Sequence, residues 1–297
     1  MSEIGFEPEP ALGGDPQWFD RDVSYDFDEE PISEPVIARS HFVTTVLVSH
    51  NGATWLPAVL TQLARTTRPP EVIVGVDARS TDTSLEILTQ SLGADRVVAL
   101  AENQGFGACV DAGLGLVPRP DFLADARPAD TIEWIWLLHD DCAPDSTALE
   151  QLLLTADRHP SVAVLGPKIL GWHDRRLLLE VGVGITSDGR RVTGLEHGEL
   201  DQGQHDGDRD VLAVSSAGML VRRDIFDALG GFDPELPLFR DDLDLCWRAH
   251  RMGERVIVAT GSQMHHREAS ARGRRLDNQS RLESSRLLRA DREAAVH

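Results

Sequence analysis

Cysteine is scarce in this chain, lysine is almost missing, and no uncharged stretch is apolar enough to cross a membrane. The three cysteines, Cys109, Cys142 and Cys246, lie 33 and 104 residues apart. That spacing matches no metal-ligand pattern and an odd number cannot pair completely, so a reducing compartment is expected. Lys168 is the single lysine, and a bias toward arginine this strong reflects genome composition rather than mechanism. Residues 42–64 carry no Asp, Glu, Lys or Arg, yet Ser49, His50, Asn51, Gly52, Pro57 and Gln62 divide them into strand, turn and helix. A spanning helix needs about 20 predominantly apolar residues, and the acidic start lacks the apolar segment of a secretory signal. A soluble, cytoplasmic chain is the expectation.

What is abundant is negative charge: 49 Asp and Glu against 29 Lys and Arg, a formal −20 over 297 residues. Such a surface repels phosphate backbones, which excludes nucleic acid as a partner. It suits a protein that handles anions through a bound cation. The charge is unevenly spread. Residues 1–40 hold eleven acids against Arg21 and Arg39, together with five prolines and no apolar periodicity, the composition of a disordered tail. Residues 267–297 reverse the sign, with eight arginines against five acids. Three regions follow: an acidic tail over 1–40, a folded domain over 41–270, and a basic helical tail over 271–297.

Within the domain, apolar patterning alternates between strand and helix. Strands are predicted at 42–49, 72–76, 96–100 and 132–138, with helices at 55–65, from 83 through 88, and at 105–116. Thr83 and Glu86 have capping-box spacing. Further on, 162–165 reads as a strand, 177–192 as a hairpin turning at Ser187, Asp188 and Gly189, and 198–210 as a polar loop. A strand-like run at 211–221, a helix at 241–252, a short strand at 255–259 and the segment through His265 and His266 complete the series. Strands alternating with helices imply an α/β fold with a doubly wound, mostly parallel sheet and a smaller mixed region. Ligands bind such sheets beyond the carboxyl ends of the strands. Ser49, His50 and Asn51, then Asp77, then His139, Asp140 and Asp141 all sit at those ends and are expected to share one crevice.

Two adjacent carboxylates ending a buried strand repel each other and are tolerated chiefly beside a cation. A diphosphate leaving group needs the same cation. Asp241, Asp242 and Asp244 open a helix, where acids favour the dipole, but three in four positions exceed what that effect needs. One of them is a candidate general base. His265 and His266 offer imidazole to a manganese-like metal. The turn at 49–55 has no glycine-rich phosphate loop, and Val110 stands where a dinucleotide fingerprint needs its third glycine. A Rossmann dehydrogenase is thereby disfavoured.

In order along the chain, these motifs resemble the family 2 glycosyltransferases of the GT-A fold. Residues 46–52 resemble the family's first strand and nucleotide-binding turn. Val76-Asp77-Ala78-Arg79-Ser80-Thr81-Asp82 resembles its "VDNGSTD" segment, and Glu102-Asn103-Gln104-Gly105-Phe106 its "ENxGF" element. Leu138-His139-Asp140-Asp141 corresponds to its DXD region, with His139 in place of the first aspartate. Phe239-Arg240-Asp241-Asp242-Leu243-Asp244 resembles "FxEDVD", with Asp241 in place of glutamate.

The resemblance implies an inverting, metal-dependent transfer from a UDP- or dTDP-type sugar to a hydroxyl acceptor, with Mn²⁺ or Mg²⁺ as cofactor. It places Ser49, His50, Asn51, Asp77, Asn103 and Asp140 at the nucleotide sugar, and Asp141 with His265 or His266 at the metal. Gly218, Asp241 and Trp247 fall on the acceptor side, and Asp242 falls on the catalytic base. The processive "QxxRW" signature is absent, so one transfer per binding event is implied. Similarity to actinobacterial members that precede a membrane region implies a lipid-linked glycan acceptor, and a basic tail at the inner face of the plasma membrane. A nucleotidyltransferase and a non-catalytic nucleotide-sugar-binding scaffold are the rival readings.

Overall fold

A computed structural model describes residues 39–117, 130–187, 189–236 and 240–268. The two charged tails expected from sequence, apart from Arg39 and Ser40, lie outside the described residues, as does Asp188 in the hairpin turn.

The first half follows the alternation: β1 (His41–Ser49), α1 (Leu56–Leu63), β2 (Val72–Asp77), α2 (Ser84–Leu92), β3 (Val97–Ala99), α3 (Phe106–Gly115) and β4 (Ile132–His139). Then come β5 (Cys142–Pro144), α4 (Ala148–Arg158), β6 (Val162–Gly171), β7 (Leu178–Glu180), β8 (Gly184–Ile185) and β9 (Arg191–Val192). β10 (Arg209–Asp210), β11 (Leu220–Arg222), α5 (Arg223–Leu229), α6 (Asp241–Arg251) and β12 (Arg255–His266) finish it. The main sheet runs β10-β12-β6-β11-β4-β1-β2-β3. β4, β1, β2 and β3 are mutually parallel, as are β12 and β6, whereas β11 is antiparallel to both its neighbours. This is an α/β fold with a mixed, mostly parallel sheet.

Period-two alternation sorts side chains to the two faces. On β4, Trp134, Trp136 and Leu138 join one buried cluster while Ile135 and Leu137 join the other. On β1, Val43 and Leu47 face the first and Val46 the second. With both faces covered, β1 and β4 carry near-continuous apolar runs, as parallel strands buried on two sides do.

Three expectations change. Of the run at 211–221 only β11 at its end is a strand. Gly218, at φ 107°, leaves the extended region, and its N–H donates to the Leu137 carbonyl at 2.9 Å. The 177–192 segment divides: β7 pairs with β6, and only β8 and β9 form a separate two-stranded ladder. Thr83 precedes α2 without a side-chain cap, so the capping box is not formed.

Lys168 lies on β6 with its side chain 1% exposed. Its ammonium bonds Asp201 at 2.9 Å and Asp206 at 2.6 Å, tying down the polar loop that sequence marks at 198–210. No described helix is long and apolar enough to cross a membrane.

Candidate functional site

The carboxyl ends of β1, β2 and β4 are neighbours: Ser49 is in register with Asp77, and Val48 with His139. The three motifs at those ends therefore meet, as the parallel topology requires. Asp140 is fully buried, and its Oδ2 accepts from Ser49 Oγ and from the His50 backbone N–H, both at 2.9 Å. Gly52 passes directly over it. A Cβ there would stand 2.0 Å from Asp140 Oδ2, so the turn needs a residue with no side chain.

The rest of the turn is knitted to the segment after β2. Asn51, at φ 50°, takes its left-handed conformation while its N–H donates to Ser80 Oγ at 2.9 Å. Its side-chain oxygen accepts from the Thr81 N–H at 2.8 Å. Gly52 N–H donates to Ser84 Oγ, and Ala53 N–H to Asp82. His50 Nδ1 donates to the Ala78 carbonyl at 2.7 Å, which leaves Nε2 to accept from the Asn51 amide at 3.4 Å. Asp77 is 2% exposed. Its Oδ2 accepts from the Ser80 N–H at 2.9 Å, whereas Oδ1 is buried with no hydrogen-bond partner. A buried carboxylate oxygen left in this way is a ready acceptor for a donor brought by a ligand. Asn103 lies on the loop after β3, where its Oδ1 accepts from the Gly105 N–H to open α3.

His139 and Asp141, two residues apart, converge with His266 so that their ligand atoms all lie within 4.8 Å of one another. His266 Nε2 and Asp141 Oδ1 are 3.3 Å apart. Burial works against the charged imidazolium of His266, but Asp141, with Glu268 and Glu180 adding to it, holds the group above its ordinary value. Two imidazoles and a carboxylate form a donor set suited to a divalent transition metal, manganese among them. The His139 ring stacks at 4.7 Å on Phe106, which meets Phe232 edge-on at 5.7 Å.

His265 is placed elsewhere. Its Nε2 lies 3.0 Å from Asp145 Oδ1 and 3.2 Å from Arg175 Nε, outside the cluster. Adjacent residues on a strand point to opposite faces, so only one of the two histidines can join it. His139, expected from sequence in the shared crevice but not among the metal ligands, belongs to the cluster instead. Its signal was the two-residue spacing from Asp141.

Asp241 and Asp242 are both buried at the first turn of α6. Asp242 Oδ2 accepts from Arg191 Nη2 at 3.1 Å, and its Oδ1 accepts from the Leu243 N–H at 2.8 Å. The same Arg191 nitrogen reaches Glu180 Oε2 at 2.9 Å. Burial, and then Asp242 beside it, push the Asp241 carboxyl up to about 7. Glu180 is raised by burial, and Arg191, Asp242 and His266 all act on it. Its position thus links the α6 acids to the His139–Asp141–His266 cluster. Glu180 and Arg191 are the residues that sequence reading missed; a lone charge in a hairpin carries no local signal.

Gly218 sits beside Ser216, whose Oγ lies 3.2 Å from His139 Nε2. Its own carbonyl accepts from Trp136 Nε1 at 3.2 Å. Trp247 is 44% exposed, five residues beyond Asp242 on α6, and so lies on a different helical face from that carboxylate.

Comparison with known proteins gives consistent results. The family described as "Glycosyltransferase like family 2" matches residues 40–282. An N-acetylglucosaminyl-diphospho-decaprenol L-rhamnosyltransferase of Mycobacterium tuberculosis is 22% identical over 247 residues, 77% of each chain. Among solved structures, GalNAc-T7 with UDP, GalNAc and Mn²⁺ superposes with a TM-score of 0.54 at 15% identity, over 76% of this chain and 43% of that one. TarS residues 1–349 from S. aureus superpose at 0.52 and 15% identity, over 84% and 71%. At such identities the superpositions speak for the fold, which is GT-A-like.

Proposed function

The chain belongs to glycosyltransferase family 2, whose members transfer a sugar from a nucleotide sugar, and on that premise we propose an inverting, metal-dependent, non-processive transfer to a hydroxyl acceptor in cell-envelope glycan assembly. The carrying observation is the set formed by buried Asp141 with half-buried His139 and His266, beside buried Asp140 and Asp77 at the carboxyl ends of parallel strands.

Each group then has a task. Asp77 Oδ1 accepts from a donor on the nucleobase, and the Ser49-to-Asn51 turn with Asn103 holds the nucleoside. Asp140, fixed from two sides, faces the ribose and sugar. His139, Asp141 and His266 hold Mn²⁺ or Mg²⁺, which when bound supplies positive charge against the departing diphosphate. Asp242 takes the acceptor proton while the hydroxyl displaces the leaving group in line. Asp241 and Gly218 shape the acceptor side.

The donor is of the UDP or dTDP type. A lipid-linked glycan is the acceptor class favoured by the mycobacterial relative, whose name specifies a diphospho-decaprenol. The basic stretch over 271–297 meets the inner face of the plasma membrane.

The test is calorimetric binding of UDP and dTDP with and without Mn²⁺. Asp141→Ala abolishes the metal-dependent gain; retention of that gain refutes the metal assignment. In parallel, release of nucleoside diphosphate from a panel of UDP- and dTDP-sugars reports turnover with water as acceptor. Asp242→Asn lowers it by about 10²–10⁴-fold with nucleotide affinity unchanged. Near-normal turnover in that variant removes Asp242 as the base.

A further inference from the structure

Between the hairpin and α6 lies a charged junction of which the transfer scheme uses only Asp242. One nitrogen of Arg191, on β9, bridges Asp242 at 3.1 Å and Glu180 at 2.9 Å. The two carboxylate side chains are each 9% exposed and the arginine 32%. Glu180 is itself anchored, because its Oε1 accepts from the Ser215 N–H at 3.1 Å. A second arginine latches the same hairpin from the other direction: Arg240 Nη1 donates to the Gly189 carbonyl. Arg240 is left-handed, at φ 62°, immediately before α6. The β8–β9 ladder has only two residue pairs and, among the described residues, pairs with no other strand, so its own backbone bonds give it little hold.

From this geometry we propose that Arg191 is the positioning residue for Asp242, and that the β8–β9 hairpin exists in this fold to deliver it. The inference rests on Asp242 being the base and adds how that base is kept ready.

The charges facing Asp242 make the case. From its own helix come Asp241, adjacent and buried, and Asp244, which is paired with Arg248 at 2.6 Å. β7 contributes Glu180, which also feels His266 of β12, and β9 contributes Arg191. Asp241, Asp242 and Glu180 are thus three buried carboxyl groups sharing the Arg191 guanidinium. A carboxylate among like charges and away from water holds its proton, and a base that holds its proton cannot take another. Arg191 counters this and also fixes which way the carboxylate faces. Its Nη2 engages Oδ2, and the Leu243 N–H engages Oδ1. A carboxylate has about four acceptor positions, so two remain for an acceptor hydroxyl.

The experiment follows the pH dependence of nucleoside diphosphate release from the best-hydrolysed UDP- or dTDP-sugar of the panel, in Mn²⁺. In Arg191→Met, the base site loses the cation bonded to Asp242 and Glu180. The acid limb of kcat therefore moves up by about one to three pH units, activity recovers at alkaline pH, and KM for the donor is unchanged. Arg191→Lys restores a cation and brings the limb back toward its wild-type position. A limb that stays in place in Arg191→Met, or an equal loss at every pH, overturns the proposal. Should Arg191→Met fail to fold, Glu180→Gln/Arg191→Met removes the pair of charges together. There the expected result is an acid limb displaced upward from wild type with kcat reduced, and wild-type kcat and profile overturn it. Asp242→Asn separates the two ideas. Normal turnover in it discards the base assignment, whereas a dead Asp242→Asn beside an unshifted Arg191→Met discards only the positioning role.

Discussion

Gly52→Ala is a one-carbon test of how the donor site is built. Alanine suits the Gly52 backbone, whose φ is not in the left-handed region, so any effect comes from the added Cβ. That atom would lie 2.0 Å from Asp140 Oδ2 and 2.4 Å from its Cγ, about 1 Å nearer than side-chain carbons are found. The turn cannot back away cheaply. The Gly52 carbonyl accepts from the Trp55 and Leu56 N–H groups, both at 2.9 Å, and its N–H is bonded to Ser84. Asp140 must therefore leave the Ser49 hydroxyl and His50 N–H that orient it. Overpacking of this kind costs about 1–3 kcal/mol. For about 2 kcal/mol in a domain of this size, Tm falls by about 4–8 °C. A displaced Asp140 should also weaken UDP or dTDP binding by about tenfold or more, or about 1.4 kcal/mol. Gly115→Ala is the control, since nothing lies within 4 Å of its added carbon at the end of α3. Thermal unfolding and calorimetry read both variants. If Gly52→Ala matches wild type in Tm and nucleotide affinity, the crowding of Asp140 is not real and the placement of this turn is wrong.

Asp77→Asn replaces the buried, unbonded Oδ1 with a donor, so nucleotide affinity should drop by about 1–3 kcal/mol while Tm holds or rises; unchanged affinity would clear Asp77 of base contact. Asp241 carries a pH signature. Its folded value of about 7 lies above the ordinary 3.8, so the native state binds more protons between those values and stability falls as pH rises from about 4 through 7. Asp241→Asn should flatten that decline in urea titrations across the range, and an unaltered slope would show that the carboxyl is not strained by burial. For the basic tail, flotation with anionic liposomes at low salt should exceed flotation with neutral ones, and indifference to lipid charge would end the membrane reading.

Much of the donor side was legible because it depends on where strands end. An apolar run that stops at a polar turn can be located from sequence, and parallel topology then gathers Ser49, Asp77 and Asp140 without further information. Other features depended on parity and partners. His265 and His266 could not be told apart because β12 shifts register against β6 twice, between Arg255 and Val256 and again before Gln263. Alternation counted from the buried 256–259 run therefore loses its phase. Thr83 makes no cap, and the carboxylate before it serves the start of the helix instead: Asp82 Oδ1 accepts from the Ser84 N–H at 3.0 Å and from the Ser84 hydroxyl. Arg191 was invisible for a different reason. Its meaning lies 51 residues away, at Asp242, and nothing within its own hairpin marks it.

The burial of Lys168 has a practical corollary. With one lysine in 297 residues and its side chain 1% exposed beneath Asp201 and Asp206, the folded domain offers acylating reagents no lysine amine until that side chain is uncovered. A dye ester or biotin ester therefore reaches Lys168 only through an opened form. The appearance of label at Lys168 then counts how often the loop lifts off β6, a clock for local opening that needs no spectroscopic probe.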